Sequence, residues 1–225
     1  MTPFAHYPSL QDRGVLITGG ASGIGATLVE SFVAQGARVG FIDIDARAGE
    51  AVAAKLAGAR HAPMFVAADL TDIAALDRAI DAIRERIGAI TALLNNAAND
   101  KRHTIAETTS ESWDAGIAVN IKHQFFAARN VAADMKAAGF GSIVNFGSVS
   151  WKLKQGGMPV YTTSKAAVQG LTRSLARDLG PFNIRVNTLV PGWVMTDKQV
   201  RLWLDDKGRE AVSYTHLTLP TNREV

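Results

Sequence analysis

Short apolar runs alternate with longer stretches in which apolar residues recur every three to four positions, and this alternation holds from Gly14 to Val190. The short runs predict strands at Gly14–Thr18, Arg38–Asp43, Pro63–Ala67, Thr91–Asn95, Gly141–Gly147 and Asn183–Val190. Between them, helix-period segments run from the first Gly-rich turn to about Gln35 and onward from about Ala46. Others lie near Asp72–Ile87, over roughly Trp113–Ala138, and over Pro159–Gly180. The strand runs read as apolar throughout instead of alternating, as expected of strands covered by helices on both faces. Repeated strand–helix units with right-handed crossovers predict an α/β fold, a doubly wound parallel sheet in three layers. No fixed-period repeat, low-complexity segment or internal linker divides the chain, so residues 1–212 read as one domain.

Composition narrows the chemistry more than the fold. None of the 225 residues is cysteine, which excludes disulfides, thiolate nucleophiles and zinc–cysteine sites, and no residue is assigned to a metal. The net charge of +3 is spread over mixed acidic and basic positions, with no basic run or stripe of the kind nucleic-acid binding needs. Met1–Asp12 lacks the basic start and apolar run of a secretory signal. No segment approaches the roughly 18 apolar residues of a membrane span. A small-molecule enzyme of the cytoplasm, with neither nucleic acid nor membrane as partner, fits this picture.

The first predicted strand runs into Thr18-Gly19-Gly20-Ala21-Ser22-Gly23-Ile24-Gly25 and then a helix. Glycines there let the backbone turn sharply and approach a pyrophosphate, to which the helix N-terminus offers free N–H groups. The spacing of Gly19, Gly23 and Gly25 is not the usual GxGxxG fingerprint. Asp43 ends the second strand, where a carboxylate can accept hydrogen bonds from ribose hydroxyls and would repel a 2′-phosphate, favouring NAD over NADP. It can equally cap the next helix, and Arg47 is the one nearby cation that could reach a phosphate. Asp69-Leu70 and Asn95-Asn96-Ala97-Ala98 follow the third and fourth strands, at the strand ends that line the ligand crevice of such a sheet.

Tyr161 and Lys165 are four apart in a helical segment and share a face. An ammonium beside a phenol favours the phenolate, which can take a hydroxyl proton as hydride leaves the same carbon. Ser148, at the end of the fifth strand, can hold the substrate oxygen. Asn120, in a helix interior where asparagine is unfavourable, can bind a water that relays protons to Lys165. A Tyr-x-x-x-Lys alone arises by chance in roughly a third of chains this long. Its place behind a strand-end serine, in a chain with a nucleotide turn, is what gives it weight.

Thr18–Gly25, Asn95–Ala98, Asn120, Ser148, Tyr161-Thr-Thr-Ser-Lys165 and Pro191-Gly192 together resemble the short-chain dehydrogenase/reductase family, in order and context, over about Gly14 to Val212. The resemblance implies a Rossmann-type homo-oligomer, dimer or tetramer, with an Asn–Ser–Tyr–Lys tetrad. It also implies that Lys165 binds the nicotinamide ribose and that Val194 and Thr196 hold the carboxamide end. Ala98 departs from the family's usual glycine. The stretches Asn95–His103 and Asn145–Trp151 are similar to bacterial sugar 1-dehydrogenases acting on xylose, galactose or rhamnose. A sugar needs several polar groups and a flat apolar face, which Asn99, Ser148, Ser150, Trp151, Lys154 and Trp193 could supply. Arg102 and His103 serve packing or subunit contacts as readily, and His103 is given no proton-transfer role. The implied reaction is oxidation of an aldose at C1; another secondary alcohol, a 3-oxoacyl substrate, or cofactor binding with little turnover are the alternatives. Val212–Leu217 breaks the family pattern and is similar to a translated sequencing adapter. Residues 213–225 are therefore expected to be a non-native tail, the sheet to lack the family's last strand, and the chain to be aggregation-prone and poorly active.

Overall fold

In the computed structural model, residues 5–203 are described. After a single 3₁₀ turn at Pro8–Leu10, strands and helices alternate: β1 Gly14–Thr18, α1 Gly23–Ala34, β2 Arg38–Asp43, α2 Ala46–Lys55, β3 Met64–Ala67, α3 Ile73–Ile87 and β4 Ala92–Asn95. Then come α4 Ser110–Ile117, α5 His123–Ala138, β5 Gly141–Phe146, α6 Pro159–Leu179, β6 Ile184–Leu189 and α7 Asp197–Trp203. The expected domain end at Val212 and the tail 213–225 lie outside the described residues.

The six strands of the described residues are all parallel, in the order β3-β2-β1-β4-β5-β6. Successive side chains of a strand point to opposite faces, so β1 feeds two cores. Val15 and Ile17 pack with Val29, Val39 and Phe41 beneath α1 and α2. Leu16 joins Leu76, Ile80, Ile83, Leu93 and Ile143 beneath α3, α5 and α6. This is the three-layer doubly wound sheet expected from the apolar runs. Those runs misled at the edges, however. β6 alternates, with Ile184 and Val186 buried but Arg185 and Asn187 exposed, and β3 is only partly covered. Among the described residues these two strands end the sheet, and a strand covered on one side needs only one apolar face.

The chain order reverses between β3 and β4, on either side of β1. In an open parallel sheet the ligand crevice lies there, at the strand C-termini. The loops after β1, β2, β3, β4, β5 and β6 all emerge at that end, and they carry the residues singled out above.

The long helix expected over Trp113–Ala138 is three pieces. It begins earlier, at Ser110, under a capping box between Thr109 and Ser112. Between α4 and α5 the backbone widens into a π-turn at Ala118–Lys122, centred on Asn120. Such turns often mark functional sites.

Candidate active site

The Gly-rich turn is held by its neighbours' side chains. Gly19 has a φ of +69°, and a Cβ there would sit 2.7 Å from Ala97 Cα, so both its conformation and its close approach to the β4 loop require glycine. Asn96 Nδ2 donates to the carbonyls of Thr18 and Gly19 (3.1 and 2.9 Å), and Ala97 N donates to Thr18 Oγ1 (3.1 Å). Asp43 Oδ2 accepts from Ala21 N (3.0 Å) and Oδ1 from Asp45 N (3.1 Å). The cap of α2 is Asp45, not Asp43. Asp43 thus fastens the turn and still faces the groove, whereas Arg47 is exposed on α2 and lines neither cavity of the site.

A groove of about 430 Å³ runs along these strand ends, from Asp43 past Asp69 and Leu70 to Tyr161 and Thr196. Its donor set suits a dinucleotide. Ser22 is the N-cap of α1, yet its hydroxyl caps no backbone N–H, so the first turn keeps its orphan donors for an anion. Ile44, 71 % exposed beside Asp43, and Leu70 offer apolar surface to a flat base. Asp69 holds its own loop by accepting from Thr71 N and Oγ1. Asn96 and Ala97 line the groove but spend their bonds on the turn, so they shape it first.

A second cavity, about 490 Å³, adjoins the groove. Ile24, Asp100, Tyr161, Thr196 and Gln199 line both spaces and mark their junction. Ser148, Ser150, Trp193 and Val194 stand in the second cavity, so four residues sought at the site meet there with Tyr161. Asn99, Trp151 and Lys154 do not line it. Asn99 is exposed, its backbone clamped to Asn120 and its side chain accepting from Lys101 N (3.1 Å). Lys154 is exposed at a φ of +55°, and the Trp151 ring lies under the Lys152 ammonium.

Lys165 is 1 % exposed and donates from Nζ to the Phe146 carbonyl at 2.7 Å. Nζ lies 5.6 Å from the Tyr161 ring centre, so the two residues meet on one face of α6 as their spacing requires. Burial pushes the lysine down to about 8. The expectation that Lys165 lowers the Tyr161 phenol needs correcting. Burial raises it, Ser148's hydroxyl and Arg102 pull it down, and Asp100 pushes it up. The ammonium donates to the Phe146 carbonyl and is not among the groups that shift the phenol.

Asn120 also differs from expectation. Its Oδ1 accepts from Asn99 N (2.9 Å), and its Nδ2 donates to the carbonyls of Asn99 and Gly116 (3.0 Å each). The side chain is committed to tying the β4 loop to the π-turn, and Asn120 also lines, with Asn99 and Tyr161, a further cavity of about 410 Å³. That commitment explains an asparagine in mid-helix. His103 likewise ties loops: its backbone N donates to Gly157 O, and its ring accepts from Val160 N. Sequence reasoning gave no role to Asp100, Gln155 and Gln199 and set Arg102 aside, yet all four line the second cavity. Asp100's position in a strand-end loop was a usable signal; Gln199, on the unforeseen α7, offered none.

The model of the short chain dehydrogenase family matches residues 13–207. Galactose dehydrogenase GalD of Rhizobium meliloti, a name given there as probable, is 48 % identical over 206 residues, covering 91 % of this chain and 80 % of that protein. A D-xylose 1-dehydrogenase of Caulobacter vibrioides is 44 % identical over 208 residues, covering 92 % and 82 %. Among solved structures, a double mutant of a Serratia marcescens short-chain dehydrogenase/reductase superposes with a TM-score of 0.78 at 36 % identity, over 85 % of this chain and 78 % of that one.

Proposed function

The chain belongs to the short-chain dehydrogenase family, an NAD(P)-dependent oxidoreductase acting on CH–OH groups, and from that premise we propose that it oxidises an aldose at C1 to the lactone, with NAD as acceptor. The observation that carries the reading is the junction. Tyr161 is shared by a groove built for a dinucleotide and a cavity of mixed polar and apolar walls. The names of two relatives, a probable galactose dehydrogenase and a D-xylose 1-dehydrogenase, support the choice of substrate class.

A bound nicotinamide supplies the hydride acceptor. Ser22, Gly23, Ile24 and Gly25 would hold the diphosphate with backbone N–H groups, Gly19, whose own N–H goes to the Ile42 carbonyl (2.7 Å), would let the turn approach it closely, and Asp43 would take the adenosine ribose hydroxyls. Asp69 and Leu70 border the base, while Val194 and Thr196 hold the carboxamide end. Ser148 Oγ, which accepts from Ser150 N (3.1 Å), turns its proton to the substrate oxygen. Tyr161 takes the C1 hydroxyl proton. Its raised pKa makes it a strong base once ionised, and the positive charge that an oxidised nicotinamide would bring to the groove would favour that ionisation. Lys165, fixed by the Phe146 carbonyl, offers its remaining protons to the nicotinamide ribose. Asn120 acts by holding the loop that carries Asn99 and Asp100. Homo-oligomeric assembly in the cytoplasm is part of the same reading. Among the described residues no helix is long and apolar enough to cross a membrane.

The test is NADH formation at 340 nm with D-xylose, D-galactose and L-rhamnose, against simple secondary alcohols and a 3-hydroxyacyl thioester. Lactone, identified by mass spectrometry, is the expected product with at least one aldose. Turnover confined to the alcohols or the thioester would replace the substrate assignment, and NAD binding without any turnover would leave a binding protein.

A further inference from the structure

Asp100 is the acidic side chain at the junction, lining both the groove and the second cavity beside Tyr161. It leaves the loop after β4, two residues past the end of Asn95-Asn96-Ala97-Ala98, and α7 reaches across to it: Gln199 Nε2 donates to Asp100 Oδ2 at 2.6 Å. Gln199 is itself positioned by its backbone N, which donates to Thr196 Oγ1 (3.3 Å). Asp100 shares both spaces with Tyr161, whose hydroxyl must face the reacting oxygen, and after burial its charge adds to what raises that phenol.

An ionised carboxylate only accepts hydrogen bonds, and it accepts about four. An apolar or acyl group pressed against it would strip its water and return no donor, a costly exchange. A carbon chain bearing a hydroxyl on the atom next to the reacting carbon returns such a donor. The rest of the cavity fits the same substrate. Ser150 Oγ is buried in its wall with no hydrogen-bond partner, Gln155 adds an amide, and Leu153, Met158 and Trp193 supply apolar surface.

We propose that Asp100 reads the hydroxyl vicinal to the reacting carbon, accepting a hydrogen bond from the C2–OH of an aldose while Gln199 holds the carboxylate in place. This rests on the aldose reading above and adds a reason for selectivity within it. A site built to bond a hydroxyl rejects the analogue that lacks it far more strongly than an apolar pocket rejects a missing methylene, by up to about 10⁴–10⁵-fold. The chain should therefore prefer D-galactose to 2-deoxy-D-galactose, and the preference should reside in Asp100.

The experiment compares kcat/KM for the two sugars in the parent chain, Asp100→Asn and Gln199→Leu, with NAD affinity measured separately by protein fluorescence. The parent should favour galactose by about 10² or more. In Asp100→Asn the preference for galactose over the 2-deoxy sugar should shrink by about 10², since any change at the Tyr161 phenol acts on both sugars alike, and NAD affinity should be unchanged. Gln199→Leu should raise KM for galactose and leave its kcat alone. A galactose preference that survives Asp100→Asn overturns the proposal while leaving the aldose reading intact. So does a variant whose only defect is weaker NAD binding. A parent that oxidises secondary alcohols but no aldose removes both.

Discussion

The two halves of the sheet treat their polar groups differently. On the side of β1, β2 and β3, the side chains around the Gly-rich turn are bonded within the protein, with help from the loop after β4: Asn96 bonds two carbonyls of the turn, Thr18 bonds Ala97, and Asp43 bonds Ala21 and Asp45. On the side of β4, β5 and β6, a buried polar ladder runs from Asn95 through Asn145 and Thr172 to Thr188, beside a buried lysine. Among the described residues, buried side-chain atoms without hydrogen-bond partners include Asn95 Oδ1, Gln124 Oε1 and Ser150 Oγ, all on this second side. Unsatisfied buried groups are destabilising and rare, so their clustering needs a reason. The first half is a finished socket, suited to a cofactor that never varies. The second tolerates incomplete bonding around the place where a proton must move and a substrate must be read, the kind of local rule-breaking expected at functional sites.

The sharpest way to separate the halves is Tyr161→Phe. It removes one hydroxyl from the second half and should lower kcat by about 10²–10⁴ while NAD affinity stays within about threefold. Steady-state rates and fluorescence titration check both, and activity within about threefold of the parent would remove Tyr161 from the reaction.

Lys165→Met tests whether the second half gives up stability for chemistry. The folded lysine sits near 8 against 10.5 unperturbed, so its charged form is disfavoured by about 3 kcal/mol. The sign follows from linkage: the penalty is full below pH 8 and fades as the pH rises through 10.5. Urea unfolding should show the methionine variant more stable than the parent at pH 7, by up to about 3 kcal/mol, with the difference shrinking at pH 10. Turnover should be lost at both. A variant less stable at pH 7 than the parent would contradict the account.

Asp43→Ser probes the finished socket. Hydrogen bonds to a charged group are worth about 1.5–3 kcal/mol, so the ratio of NAD to NADP efficiency should fall by roughly one to two powers of ten. Because Asp43 also fastens Ala21, some loss of affinity for both cofactors should accompany it. An unchanged ratio would reduce Asp43 to a structural fastener.

The smallest effect concerns His123, whose buried ring is pushed down to about 3, chiefly by burial and then by Lys165. The unfolded chain takes up this proton near pH 6.5 and the folded one does not, so acidification costs the parent about 1.4 kcal/mol per pH unit below that point. His123→Gln should remove about 2 kcal/mol of acid sensitivity at pH 5. Equal pH slopes for parent and variant would show that the ring finds a partner when protonated.

The order of strands and helices was legible because helices on both faces force central strands to be apolar, a pattern visible residue by residue. The tyrosine and lysine were legible because a helix brings positions four apart together. What the chain concealed depends on distant partners. The clamp between Asn120 and Asn99, 21 residues away, cannot be read from either residue alone. Asp100 and Gln199 are separated by 99 residues and meet only because β4 and β6 end at one edge of the crevice. The π-turn at Ala118–Lys122 has no local signature, since it coincides with that same long-range clamp on Asn120. The direction of the Tyr161 shift was misjudged for the same reason: proximity of Lys165 was readable, and the Phe146 carbonyl that captures its ammonium was not.

The most direct measurement follows one hydrogen. The chain is given NAD and D-galactose carrying deuterium at C1, with D-xylose labelled in the same way as a second substrate, and the reduced cofactor is analysed by mass spectrometry. The account predicts a deuterium atom in the reduced nicotinamide, with lactone formed in equal amount. Reduced cofactor without deuterium, or label retained in an unoxidised sugar while another substrate is consumed, would contradict it.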